Sequence, residues 1–162
     1  MYSKILVPVD NSEPSKLGLA EAVKLAKALH ARICLIHVVD VDTVLVFEVD
    51  AINREVIRGG LRRAGAAVLQ GAYEFVRKAG VEVDTALPEN WNSPVGACIV
   101  NKAREYGAEL IICGTHGRRG VRRVLVGSDA EYIVRHSPVP VLLVRPQDTA
   151  SEATQAPVGA AA

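Results

Sequence analysis

Gly114 to Arg135 reads GTHGRRGVRRVLVGSDAEYIVR and sets glycines, arginines and a histidine together after an apolar run. Gly114, Gly117 and Gly120 recur at intervals of three, and Gly127-Ser128 opens the next helical pattern. Glycine lets a backbone take positive φ and approach a ligand closely. Successive N–H groups in such a loop form an anion-binding concavity. A helix start adds unpaired N–H groups and the positive end of the helix dipole. Ser128 adds a hydroxyl donor, and His116 and Arg118 add donors from the rim. The stretch therefore holds something anionic, or it is a glycine-rich turn with solvated arginines. It is not a P-loop, because no Lys follows the helix-opening glycine, and it is not G-x-G-x-x-G after a first strand.

The elements around this stretch position it. Five short apolar runs read as strands: KILVPV (4–9), RICLIHVV (32–39), VEVDTA (81–86), ELIICG (109–114) and VPVLLVR (139–145). Four are rich in Val, Ile and Leu, as strands covered on both faces are. VEVDTA alternates, which predicts one wet face and an edge position. Helical stripes lie between the runs. The first is Leu19, Ala22, Val23, Ala26 and Leu29, with Asn11 or Ser12 as N-cap and Pro14 in the first turn. The second is Val68, Ala72, Phe75, Val76 and Ala79, ended by Gly80. The third is Val95, Ile99, Ala103 and Tyr106, with Ser93 as cap and Gly107 after it. The fourth begins with Ala130, Ile133 and Val134 and stops at His136-Ser137-Pro138. Such alternation predicts a parallel sheet with helices on both faces. On pattern alone the strand orders 2-1-3-4-5 and 3-2-1-4-5 both fit. Either places a ligand crevice beyond the carboxyl ends of the strands.

Two segments fit less well. TVLVFEV (43–49) is strand-like where a connection belongs, and it packs over the domain or forms a contact surface. The helix after it holds Gly59, Gly60, Gly65 and Gly71, so it is expected to break or start late.

The 162 residues suit one domain, expected over 1–146, and the Ala-, Thr- and Pro-rich tail 147–162 reads as disordered. Hydrophobic residues at 49% and charged residues at 23% give an ordinary globular composition. A net charge of +1 supplies no general pull toward nucleic acid or membrane. No apolar run approaches the ~18 residues of a membrane span. MYSKILVPVD lacks the features of a signal peptide, so the expected location is cytoplasmic. Cys34, Cys98 and Cys113 form no C-x-x-C pair and read as small buried hydrophobes, not zinc ligands.

Gly114-x2-Gly117-x9-Gly127-Ser128 matches the G-2x-G-9x-G-(S/T) signature of the universal stress protein family. KILVPVD resembles that family's opening, and EYIVRHSPVPVLLVR resembles its last helix and strand. The resemblance covers about residues 1–146. It implies a Rossmann-like fold, similar to the adenine nucleotide alpha hydrolases, with a five-stranded parallel sheet in order 3-2-1-4-5. It also implies ATP binding with Mg2+ or Mn2+. By position, Asp10 would meet the adenosine end with Pro8 and Val9 beside it, and Val38 would line the adenine pocket. Gly114 would lie under the ribose, while His116, Gly117, Arg118, Gly127, Ser128 and Asp129 would surround the phosphates. A homodimer through the last strand, Val139 to Val144, is implied as well, and an exposed strand edge needs such a cover.

Two positions depart from the family. Asp129 stands where many relatives carry an uncharged residue. A carboxylate ~4 Å from a phosphate at an effective dielectric near 20 costs about 4 kcal/mol, so its direction matters. The loop after the third strand reads PENWNSP, where relatives have a short glycine-containing turn, and Trp91 there is a packed aromatic or a partner contact.

The residues favour a regulatory ATP-binding module over a fast enzyme, since no base is expected near the γ-phosphate. Slow hydrolysis assisted by His116, or autophosphorylation at Ser128, is the alternative on the same site. An ATP pyrophosphatase would carry a glycine-rich loop after the first strand, where this chain has VDNSEPS. Arg118, Arg119, Arg122 and Arg123 offer an interaction surface, but no aromatic neighbour suits base stacking.

Overall fold

The computed structural model describes residues 1–42, 51–115 and 127–145. The 43–49 segment and the tail 147–162 lie outside them. The elements are β1 (Lys4–Pro8), α1 (Glu13–Leu29), β2 (Arg32–Ile36), α2 (Ala51–Lys78), β3 (Val83–Ala86), α3 (Val95–Tyr106), β4 (Leu110–Gly114), α4 (Ser128–His136) and β5 (Val141–Val144). All strand pairs are parallel, in the order β3-β2-β1-β4-β5. That decides between the two orders the pattern allows, and it puts alternating VEVDTA at an edge.

Strand alternation divides the core in two. Ile5, Val7, Ile33, Leu35 and Ile112 face α1 and α2, where Leu19, Ala22, Val23, Leu69 and Val76 meet them. Leu6, Cys34, Ile36 and Ile111 face α3 and α4, where Ile99, Ala103 and Ile133 meet them. Both faces of the inner strands are thus covered, which is why their sequences run apolar without alternation.

The helix ends follow from local chemistry. Ser12 is the α1 N-cap and its side chain accepts from the Ser15 amide, while Asn11 takes a left-handed turn at φ 67. Gly107 closes α3 at φ 67. The α3 N-cap is Pro94, not Ser93, and it supplies no side-chain acceptor.

α2 does not break. It runs unbroken from Ala51 to Lys78 through all four glycines. Each glycine costs about 1 kcal/mol against Ala. Burying Leu69 and Val76, at 7% and 0% exposure, returns about 2 kcal/mol each. Tertiary packing therefore holds the helix. Gly65 has a positive reason, since a Cβ there would lie 2.6 Å from the His37 ring. Phe75 and Val134, expected in buried stripes, are half-exposed, and Leu69 occupies the core position on α2.

Gly71→Ala should raise stability by about 0.5–1 kcal/mol, because an added methyl meets nothing within 4 Å. Gly96→Ala should lower it by about 1–3 kcal/mol, because its Cβ would lie 2.8 Å from Tyr132 Cβ. Urea denaturation of both variants checks the contrast.

Candidate functional site

A cleft opens beyond the carboxyl ends of β1, β2 and β4, at the switch point of the sheet. β1 brings Pro8, Val9 and Asp10 to it, β2 brings Val38, and β4 brings Gly114. The start of α4 brings Gly127, Ser128 and Asp129. His116, Gly117 and Arg118 lie outside the described residues, as do the other arginines of that loop. The residues flanking the loop are tied together, for Gly127 N–H donates to the Thr115 carbonyl at 2.9 Å.

Gly114 has a packing reason. A Cβ there would lie 2.5 Å from the Pro14 backbone, so the end of β4 touches the first turn of α1. Gly18 supports the same approach, with its Cβ position 3.1 Å from Gly114 N.

Three helix N-termini converge on the cleft, and the chain closes two of them. At α1, Ser12 caps, and Asp10 Oδ1 accepts from Ser12 N–H at 3.0 Å and from Ser12 Oγ at 2.6 Å. At α3, Asp129 Oδ1 accepts from the Gly96 amide at 3.3 Å, supplying from a neighbouring helix the acceptor that Pro94 lacks. α4 begins at Gly127 with no side-chain cap. This helix start, at Gly127 and Ser128, lines the cleft and carries the positive end of the helix dipole. One oxygen of the Asp129 carboxylate is thus engaged by the N-terminus of α3, while the residue still lines the cleft.

At the other end of the cleft a peptide group lacks a strand partner. Amides of His37 and Val39 donate to Ala86 and Pro88 on the β3 side, at 3.1 and 2.8 Å. Val38 alternates, so its N–H and C=O face the β1 side. β1 has ended there, and among the described residues neither group has a hydrogen-bond partner. A donor and an acceptor side by side suit the edge of a planar heterocycle.

Thiol chemistry is excluded at the buried cysteines. Burial pushes Cys113 up to about 12 and Cys34 up to about 11, so both stay protonated and inert near neutrality. Cys98 is half-buried, with Ser93 Oγ 3.7 Å from its sulfur.

Known proteins share this fold. The model of the universal stress protein family matches residues 1–145. This chain belongs to the universal stress protein family. A putative universal stress protein of Staphylococcus haemolyticus is 36% identical over 149 residues, 91% of this chain and 87% of that protein. The structure of universal stress protein UspA from Lactobacillus plantarum superposes with a TM-score of 0.77 at 25% identity, covering 89% and 98% of the two chains. A universal stress protein of Archaeoglobus fulgidus solved with dAMP shares the fold, with a TM-score of 0.61 at 21% identity over 88% and 98% of the chains.

The family loop that reads PENWNSP here forms one wall of the cleft. Asn90, 3% exposed, accepts from Val41 N–H at 2.7 Å and donates to Asp40 Oδ1 at 3.0 Å and the Ser93 carbonyl at 3.2 Å. It fastens the loop after β3 to the chain after β2. Glu89 fastens the same loop to α2, with Arg58 at 2.8 Å and Arg62 at 3.1 Å. Arg58 also lies over the ring of half-exposed Trp91, 5.2 Å from its centroid. Sequence reasoning missed Asn90 and His37. Their signals were a buried-type amide in a polar loop and a lone histidine in an apolar strand.

The hydrogen bond from Arg58, then that from Arg62, holds the Glu89 carboxyl below the usual glutamate range. A depressed carboxyl contributes stability that is present above its unfolded pKa and lost as pH falls through its folded one. Glu89→Gln should therefore lower Tm at pH 7 and flatten the acid limb of a Tm-against-pH curve. An unchanged acid limb would show that the two arginines add nothing.

Proposed function

We propose that the cleft binds ATP with a divalent ion, Mg2+ or Mn2+, and that the protein is a cytoplasmic regulatory module of the stress response rather than a fast enzyme. The observation that carries this is the meeting in one cleft of the Val38 backbone edge, which has no hydrogen-bond partner among the described residues, and the α4 start, whose N-cap Gly127 offers no side chain. The free peptide edge of Val38 suits adenine, and the uncapped start of α4 suits phosphate. In this reading Pro8, Val9 and Asp10 flank the adenosine, and Gly114 underlies the ribose. His116, Gly117, Arg118, Gly127, Ser128 and Asp129 surround the phosphates, with Asp129 acting through its bond to α3. The adenine nucleotide in the Archaeoglobus relative and the full glycine signature support the same ligand class.

Among the described residues no three His, Cys, Asp or Glu side chains converge on a metal position. A metal arriving with the triphosphate would take its ligands chiefly from phosphate and water. Asp10 and Asp129 each spend a carboxylate oxygen on a helix start, which argues against either as a base for a water nucleophile. Among the described residues no helix is long and apolar enough to cross a membrane.

Mass spectrometry of nucleotide released from freshly purified, denatured protein tests the reading, followed by ATP titration with and without Mg2+. Binding in the micromolar range is expected, about −8 kcal/mol at 1 μM. No binding at millimolar ATP sinks the proposal. Gly117→Val should abolish binding and leave the fold intact, as read by circular dichroism, because a side chain there fills the phosphate approach.

The homodimer belongs to this proposal too. β5 is the outer strand beside β4, and Leu142 on it is 37% exposed. Light scattering should give twice the mass of one chain, and Leu142→Asp should halve it. A wild-type mass of one chain would sink the dimer.

A further inference from the structure

The β1–β2 ladder can be followed rung by rung to the point where it fails. Arg32 N–H donates to the Ser3 carbonyl at 2.9 Å, and parallel pairing advances two residues on each strand per rung. Three steps on, the donor would be Val38 N–H and the acceptor the carbonyl of Val9. The strands are still close enough for this, since Val9 N–H reaches the Ile36 carbonyl at 2.9 Å. Yet among the described residues the Val38 amide makes no bond to the Val9 carbonyl, which instead accepts from His37 Nδ1 at 2.7 Å. A carbonyl oxygen only accepts, so Nδ1 carries the proton in this contact. His37 is 9% exposed, and the α2 backbone at Gly65 closes over its ring.

We propose that His37 is a positioning residue for base recognition: its Nδ1–H takes the Val9 carbonyl out of the ladder and so leaves the Val38 amide free for the ligand. This rests on the nucleotide reading above and names the device that makes its base site. The partner of the Val38 carbonyl is removed separately, because the chain turns at Asn11, φ 67, before it could donate. Gly65 belongs to the same device, since any side chain there would collide with the imidazole at 2.6 Å. His37 stands just past the end of β2. It works as a fixed donor that competes with a backbone amide.

Two variants of the full chain test this. His37→Leu fills the space without a donor, and His37→Asn keeps an N–H donor at about the place of Nδ1. The first readout needs no ligand. In the wild type the Val38 amide should exchange with solvent at least about tenfold faster than those of His37 and Val39, which are hydrogen-bonded. In His37→Leu the Val38 amide should become protected as the rung to Val9 closes, and in His37→Asn it should stay fast. The second readout is affinity for ATP, GTP and inorganic tripolyphosphate. His37→Leu should weaken ATP by about tenfold, the worth of one desolvated hydrogen bond. Preference for ATP over GTP should shrink, tripolyphosphate should stay within about twofold, and His37→Asn should restore ATP.

A protected Val38 amide in the wild type overturns the proposal. So does an exchange pattern unchanged in His37→Leu, or a loss of tripolyphosphate and ATP binding in equal measure. If the wild type binds neither ATP nor tripolyphosphate, the nucleotide reading and the base-recognition role fall together. The Val38 exchange result would then still report whether His37 opens the ladder.

Discussion

The carbonyl of Val9 accepts from His37 Nδ1 at 2.7 Å, and the shape of the cleft depends on where that leaves the backbone. A parallel sheet hides peptide groups by pairing them, so an opening at its carboxyl end requires a strand to stop while its neighbour runs on. β1 stops here. Its last amide still reaches Ile36, its next carbonyl goes to a side chain, and Asn11 turns the chain into α1. The chain after β2 stays paired on its other side with the loop after β3, with the Val39 amide bonded to the Pro88 carbonyl and the Asn90 amide bonded to the Val39 carbonyl. The side wall of the cleft is therefore as well hydrogen-bonded as a strand, although no strand is there.

The other end of the cleft works by the same kind of accounting. Helix starts expose amides, and three of them surround one cavity. Had all been open, the cavity would offer no preferred seat for an anion. Ser12 and Asp10 close one start, and Asp129 closes another across a helix–helix contact made tight by Gly96. The remaining start, at Gly127, stands beside the end of β4 through the bond to Thr115. Asp129 thereby ties the first turn of α4 to the start of α3.

The glycines divide by what they touch. Gly114 and Gly18 let α1 meet the end of β4, Gly96 lets α3 meet α4, and Gly65 lets α2 close over His37. Gly60 and Gly71 face open space and serve no contact among the described residues. Composition makes all of them look alike, and only their neighbours separate structural need from tolerance.

Much of this was legible in the residue pattern, for physical reasons. Uninterrupted Val, Ile and Leu runs require cover on both faces, so five strands, four intervening helices and an edge position for VEVDTA could be read from the chain. The helix start at Gly127-Ser128 was legible for an equally local reason. The strand order, by contrast, was open on pattern alone, because both orders bury the same stripes. The continuity of α2, the exposure of Phe75 and Val134, and the cap at Pro94 also depended on tertiary packing, which outweighs propensities of about 1 kcal/mol. The roles of His37, Asn90 and Asp129 were decided only by the fold. Each makes a hydrogen bond with a backbone group of another segment, at Val9, Val41 and Gly96, and no spacing along the chain encodes which group will lie there.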